Sequence, residues 1–364
     1  MQARILSVQI SDIESPEQVE KYDILKDFAT WLTRVRCLTI SGGFAGDFHQ
    51  IHTWGLIRTF SETMKDMTHI RLSREGRGLY LTHIIPNLSL FPKLKHLGVN
   101  GVSEWEEKKT GGDDIRRQRT APIESISLSD YEECPQSTEA LILWPKALTS
   151  FTLGSFYTNP HTMDYPMLET WLSVHRETLR RVSIGFLANT GSTRLFNATL
   201  FPNLESLKLS RWQQGRMWST TEPFRFTADD ANVLGPRVKC FGWDFNSNYY
   251  DEPWSAFGEN EVAWVAALAE TAIARKGPLK TIRIYFTPDI DGVSELDGYP
   301  WERMAHVRDT ICKPNGIELC YKEPLSKSSW LALVKKLAEG ENDFWTQASA
   351  DWREAEVAAA EEAG

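Results

Sequence analysis

Few residues of this chain stand at spacings that could do chemistry on their own. His49 and His52 are three apart and would share a helix face able to offer two nitrogens to a metal, but no third ligand lies near them in sequence. Asp289, Asp291, Glu295 and Asp297 surround Gly292 in a run that faintly suggests calcium. Its glycine falls too early for an EF-hand loop, so a solvated turn is expected. GxSxG, GxxxxGK[ST], HExxH and paired CxxC patterns are all missing. The expectation is therefore no catalytic residue, no metal and no cofactor. An enzyme would have to assemble its site from distant segments.

Polar residues do recur at fixed spacing, as part of a hydrophobic frame LxxLxL. It reads ILSVQI from Ile5, VRCLTI from Val35, MTHIRL from Met67, LKHLGV from Leu94, IESISL from Ile123, LTSFTL from Leu148, LRRVSI from Leu179, LESLKL from Leu204, VKCFGW from Val238 and LKTIRI from Leu279. The starts lie 30, 32, 27, 29, 25, 31, 25, 34 and 41 residues apart, near or above the roughly 20–29 expected of leucine-rich repeats. Alternation along a short strand turns positions one, four and six to a core and positions three and five outward. The outward pairs are Cys37/Thr39, His69/Arg71, His96/Gly98, Ser125/Ser127, Ser150/Thr152, Arg181/Ser183, Ser206/Lys208, Cys240/Gly242 and Thr281/Arg283. Small hydroxyls dominate the centre of this concave face, and Arg71, Arg181, Lys208 and Arg283 are its candidates for charge-assisted contacts with a protein partner. An aromatic group, Trp212, Trp218, Trp243, Phe245, Tyr249, Tyr250 and Trp254, gathers around two inserts. Trp243 holds a sixth position and belongs to the core, while Trp218, Tyr249 and Tyr250 are the candidate interface anchors.

One strand cannot bury its own apolar side, so neighbouring copies must stack and share a core. Stretches 55–64, 165–178 and 261–276 read as amphipathic helices between strands, the last ended by Gly277-Pro278. The predicted fold is an α/β leucine-rich-repeat-like solenoid, a curved parallel sheet with outer helices and irregular repeats of about 25–41 residues. It spans 1–340, with inserts at 101–122, 212–236 and 246–260. A last strand is expected near Ile317 and a helix over 328–339, followed by an acidic, solvated tail at 341–364. The first frame leaves no room for the polar cap a terminal repeat needs, so either the opening copy is decorative or, the favoured expectation, a preceding module is missing from this sequence.

The formal charge is −9, but the last 24 residues hold seven acidic residues against one arginine and leave −3 for the rest. Such a body has no global electrostatic reason to bind nucleic acid, although a local basic patch is left open. Five scattered cysteines argue against a disulfide-stapled secreted domain. No apolar run approaches the roughly 18 residues that would span a bilayer. Cytoplasm or nucleus is the expected location, and the sequons at Asn87 and Asn197 are expected to be chance matches.

Four stretches carry a family resemblance: FPKLKHLGVNG at Phe91, LILWPKALTSFTLGSF at Leu141, MLETWLSVHRETLRRVSIGF at Met167 and FPNLESLKLSRW at Phe201. Over roughly residues 30 to 320 the chain resembles the leucine-rich-repeat-like region of fungal F-box proteins. That resemblance implies the substrate-recognition half of an SCF-type ubiquitin ligase, bound to its adaptor through an F-box. No leucine-proline pair opening such a module precedes Ile5. The expected function is protein recognition; the alternatives are a scaffold without a specific client and an enzyme with a site assembled only in three dimensions.

Overall fold

The computed structural model describes residues 4–11, 16–74, 79–102, 118–131, 135–154, 163–185, 187, 194–211, 225–245, 258–286 and 300–321, with positions 328, 331, 332 and 335. The predicted tail at 341–364, most of the helix expected over 328–339, the acidic run from 289 to 297 and the bulk of the inserts lie outside the described residues.

Every copy of the frame becomes a strand. The strands are β1 (Ile5–Gln9), β2 (Cys37–Ser41), β3 (His69–Ser73), β4 (His96–Val102), β5 (Ser125–Tyr131), β6 (Ser150–Leu153), β7 (Arg181–Ile184), β8 (Ser206–Ser210), β9 (Cys240–Asp244) and β10 (Thr281–Tyr285). The strand expected near Ile317 is β11 (Glu318–Tyr321), and the eleven pair in chain order, each parallel to the next, in one sheet with two edges. This is an α/β fold.

Backbone hydrogen bonds explain why the frame repeats. In several copies the position-one amide closes a turn on a carbonyl three residues earlier: Val35 on Leu32, Met67 on Met64, Leu94 on Phe91, Leu204 on Phe201 and Val238 on Gly235. The amides of positions two and three then both donate to the position-two carbonyl of the preceding copy, from Thr68 and His69 on Arg36 through to Lys280 and Thr281 on Lys239. Side chains at position two pair along the same line, Lys95 with Glu124 at 2.7 Å and Glu205 with Lys239 at 3.1 Å. Exposed pairs of this kind are worth about 0–1 kcal/mol each, so the apolar positions carry the stability.

Those positions are buried: Leu38 and Ile40, Ile70 and Leu72, Phe151 and Leu153, Leu207 and Leu209, Phe241 and Trp243 are each nearly or wholly shielded. The helices α1 (Pro16–Ala29), α2 (Gly46–Thr63), α3 (Ile84–Leu88), α4 (Pro135–Leu143), α5 (Tyr165–Leu172), α6 (Glu259–Ala274) and α7 (Pro300–Val307) join successive strands and share one core with them. Helices occur at each of the expected places 55–64, 165–178 and 261–276, but α2 starts nine residues earlier and α5 ends at Leu172, passing into a tight turn over Ser173–His175. The described parts of the connections before β8 and β9 carry short turns at Ala198–Leu200 and Asp230–Val233. After β2 the chain reverses through Gly42, whose φ of +79° and close approach to the Ile10 carbonyl leave no room for a Cβ. Both sequons have structural roles: Asn87 is buried and bonded to the His83 carbonyl and Arg58, and the Asn197 side chain caps the following turn.

The first copy needs a correction. Ile5 pairs with Cys37 and Val8 with Ile40, so ILSVQI is out of register by two residues with the other frames. Ile5 therefore stands at an outward position and is 70% exposed, whereas Val8 and Ile10 are buried. Val8→Asp should cost about 3 kcal/mol or more, combining lost burial with a carboxyl placed in the core. Ile5→Asp should stay within about 0.5 kcal/mol of the parent. Urea unfolding of both variants checks this, and equal losses would mean that the register is wrong.

His175 ties α4, α5 and β6 together. Its Nε2 donates to the Ile142 carbonyl at 2.7 Å and its Nδ1 accepts from the Leu148 amide at 3.3 Å, which fixes one neutral tautomer. Burial, joined by the charge of Arg119, holds the imidazole below the usual histidine range, against the opposing pull of the Ile142 carbonyl. A lowered folded value means that the unfolded chain takes up the proton first. The contribution is thus complete above about pH 6.5 and is lost as the pH falls through the folded value. Denaturant midpoints should drop between about pH 7 and pH 5, and His175→Gln should flatten part of that slope.

Candidate recognition face

Among the described residues, helices cover the side of the sheet that carries positions four and six. Positions three and five line up across the strands on the other side. One row runs Ile5, Cys37, His69, His96, Ser125, Ser150, Arg181, Ser206, Cys240, Thr281, Glu318, and its neighbour runs Ser7, Thr39, Arg71, Gly98, Ser127, Thr152, Ser183, Lys208, Gly242, Arg283, Cys320. A third, partial row holds Ser41, Ser73, Asn100 and Ser129, with hydrogen bonds Ser41–Ser73 at 2.9 Å and Asn100–Ser129 at 3.0 Å. All the outward pairs read from the sequence are brought together here.

The four candidate cations do not behave alike. Lys208 reaches across Gly242 to pair with Asp244 at 2.6 Å, with its ammonium 4.2 Å from the Tyr285 ring centroid, so its charge is already answered. Arg283 lies beside Tyr285, whose hydrogen bond raises the guanidinium further above its already high range. Arg71 and Arg181 are exposed and form no ion pair among the described residues. Trp218, Tyr249 and Tyr250 lie outside the described residues, as do Trp212 and Trp254. Trp243 is wholly buried and stacks on Trp264 at 4.3 Å, as its sixth-position placement requires.

Side-chain size gives this face relief. Gly98 stands between Arg71 and Ser127, and the missing side chain leaves a depression of about 260 Å³ bounded by Thr39, His69, Arg71, His96, Asn100 and Ser127. His69 and His96, in register on adjacent strands, stack with centroids 4.1 Å apart and planes 16° from parallel. His69 also shares a 2.8 Å hydrogen bond with Thr68. Burial, then the charge of His69, lowers the basicity of His96. The stack follows from two histidines at the third position of consecutive copies, a signal visible in the sequence once the copies are aligned.

Charge is distributed unevenly over the rows. From β1 to β8 they contain arginine, lysine, histidine and hydroxyls but no aspartate or glutamate; the first carboxylates are Asp244 and Glu318. The arrangement supplies hydrogen-bond donors and cations on a chain whose formal charge is −9. His49 is buried against the Tyr22 hydroxyl at 3.4 Å and His52 stacks on the Tyr22 ring. No cluster of three or more potential metal ligands occurs among the described residues. Cys37, Cys240 and Cys320 are free on or beside the open rows, and Cys312 is buried, its thiol pushed up to about 11 by desolvation. No helix among the described residues is long and apolar enough to cross a membrane. Comparison of the sequence with protein-family models finds no match, and comparison with curated proteins finds none either.

Proposed function

We propose that this chain is a leucine-rich-repeat-like solenoid that recognises a protein partner on the open side of its sheet. The observation that carries the reading is the two continuous polar rows, held in register from β1 to β11 and bare of covering elements among the described residues. Parallel sheets are usually covered on both faces and then read as unbroken apolar runs. Here β2, β3, β6, β7 and β10 alternate buried with open positions along their whole length, so one face is built for water or for a partner. Repeat proteins with one strand per copy offer such a face as an extended binding surface. A triad-type hydrolase would need a histidine set between a carboxylate and a serine or cysteine; on this face His69 instead bonds Thr68 and stacks on His96. In an F-box protein of the kind the sequence resembles, this surface would take the substrate of an SCF-type ubiquitin ligase. Recovery of the ligase adaptor with the full-length gene product tests that narrower version.

The face itself is tested by charge reversal. Affinity capture from cell extract should lose its specific protein with Arg71→Glu/Arg181→Glu and keep it with Glu270→Arg on the outer surface of α6. Interface arginines of this kind typically cost about 1–4 kcal/mol when removed, or roughly tenfold to several-hundredfold in affinity. Loss with the α6 variant alone would place recognition on the helical side.

A further inference from the structure

All the strands enter the sheet from one lip, and that lip carries a charge opposite to the chain's. The bonds that join each position-two carbonyl to the next copy set Arg36, Lys95, Arg180, Lys239 and Lys280 in one row, and Arg4 holds the same place ahead of β1. The turns leading into the strands, from four residues before position one, add Arg34, Lys93, Arg119, Lys146, Arg237 and Lys276. All of these side chains are exposed. The same stretches contain four carboxylates, each already answered: Asp66 by Lys93 at 2.5 Å, Glu124 by Lys95 at 2.7 Å, Glu177 by Arg176 at 3.1 Å, and Glu205 by Lys239 at 3.1 Å and Arg180 at 3.4 Å. Arg4, Arg34, Arg36, Lys146, Lys276 and Lys280 form no ion pair among the described residues. A chain whose formal charge is −9 thus gathers positive charge along one edge, the local basic patch that composition left open.

Apolar side chains project from the same lip. Trp31, Leu90 and Leu200 each stand four residues before position one, immediately ahead of the residue whose carbonyl closes the turn. All three are exposed, Trp31 by 82%. Val174, exposed in the turn after α5, joins them, and its carbonyl accepts from Arg119. The same place can be buried, as Trp144 is ahead of β6. Neighbouring strands lie about 4.8 Å apart, so the row from β1 to β10 runs for roughly 43 Å. Nucleic acid would answer the cations, but it takes exposed side chains by stacking bases on aromatic rings, and leucine offers no ring. A bilayer surface with anionic headgroups answers both features. It attracts each nearby lysine or arginine, and it takes up tryptophan and leucine at the boundary between headgroups and acyl chains.

We propose that this lip is a peripheral membrane-binding edge that rests on an anionic lipid surface, with its cations on the headgroups and Trp31, Leu90 and Leu200 entering the interfacial layer. The strands then stand with their first residues toward the lipid, and the open face of the sheet stays in water. Attachment is therefore independent of recognition on the open face, and either can hold without the other. Most of the attraction is between charges near water, so binding should require acidic lipid and weaken as salt rises.

The test is flotation of the full chain with vesicles rich in phosphatidylserine and, in parallel, with vesicles of phosphatidylcholine alone. The chain should float with the first only, and added salt should release it. Arg36→Glu/Lys146→Glu/Lys280→Glu should weaken binding roughly a hundredfold, and Trp31→Ser/Leu90→Ser/Leu200→Ser roughly tenfold. Lys21→Glu/Arg71→Glu/Arg225→Glu changes the net charge equally but away from the lip, and should bind as the parent does. All the substituted side chains are exposed, so each variant should keep the thermal unfolding of the parent. No flotation with phosphatidylserine, equal flotation with phosphatidylcholine alone, or equal loss with the variant away from the lip would overturn the membrane-binding edge. A single-stranded oligonucleotide and polyglutamate are titrated as rival polyanions. If either binds at least as tightly as the vesicles, and the apolar variant binds it unchanged, the lip belongs to nucleic acid or to an acidic protein and the lipid assignment fails. Protein recognition on the open face is read separately, by the charge-reversal capture.

Discussion

Trp243→Ala should destabilise the protein by about 3–5 kcal/mol, the range for emptying a core aromatic site. Trp243 is wholly buried, stacks on Trp264 at 4.3 Å with 27° between planes, and meets Phe245 edge-on at 5.1 Å. Trp264 is anchored in turn, its indole N–H donating to Asp230 at 3.2 Å. Removal of the Trp243 indole would open a void between β9 and α6 that these neighbours, fixed by their own bonds, can close only in part. Trp243→Phe should cost clearly less, because it keeps a ring against Trp264. Trp31 provides the control: at 82% exposure, its change to alanine should move the denaturant midpoint by no more than about 0.5 kcal/mol. Similar losses at Trp31 and Trp243 would contradict the placement of the sixth frame position in the core.

The sixth position of VKCFGW identifies Trp243 as core because alternation is a strong constraint wherever one face of a strand is buried. The same constraint makes the outward rows legible: an error of one residue would turn every side chain over, so His69, Arg71, Gly98 and Lys208 could be placed from sequence. An error of two residues keeps the alternation intact. That is why ILSVQI looks like a proper copy although Ile5 stands opposite Cys37 and not opposite Val35. Only the turn before a strand distinguishes the two framings, and for β1 the residues before Arg4 lie outside the described ones. Helix boundaries were less legible where polar groups are buried. The first turns of α2 bury His49, Gln50 and Thr53, which break the apolar period and hide the nine residues before Gly55. α1 is concealed in the same way, since it is fastened by a hydrogen bond from the Tyr22 hydroxyl to Thr53 at 2.9 Å as well as by an apolar stripe. The depression over Gly98 needs knowledge of which copies are neighbours and of how the arginine stem lies. Frame positions supply the first and only coordinates supply the second.

The second large effect is expected at Glu261 in the first turn of α6. Its carboxylate accepts from the Gly258 amide at 2.8 Å and from Arg211 at 2.7 and 3.2 Å, with side-chain exposures of 12% for Arg211 and 8% for Glu261. One group therefore caps a helix and neutralises a guanidinium that lies 5.9 Å from the Trp243 ring centroid. Glu261→Ala takes away both functions and leaves a mostly buried cation without this carboxylate, a situation that costs about 3–5 kcal/mol; the partial exposure of Arg211 places the expectation near the lower figure. Arg211→Met/Glu261→Leu removes both charges and replaces them with apolar volume beside Trp243. Desolvation of two ions is then no longer required, so the double variant should be more stable than Glu261→Ala, with the lost helix cap, about 1 kcal/mol, as its main remaining deficit. Chemical denaturation of the parent, the single variant and the double variant distinguishes these contributions. A double variant at least as unstable as Glu261→Ala would show that helix capping and packing, not the uncompensated charge, account for the loss.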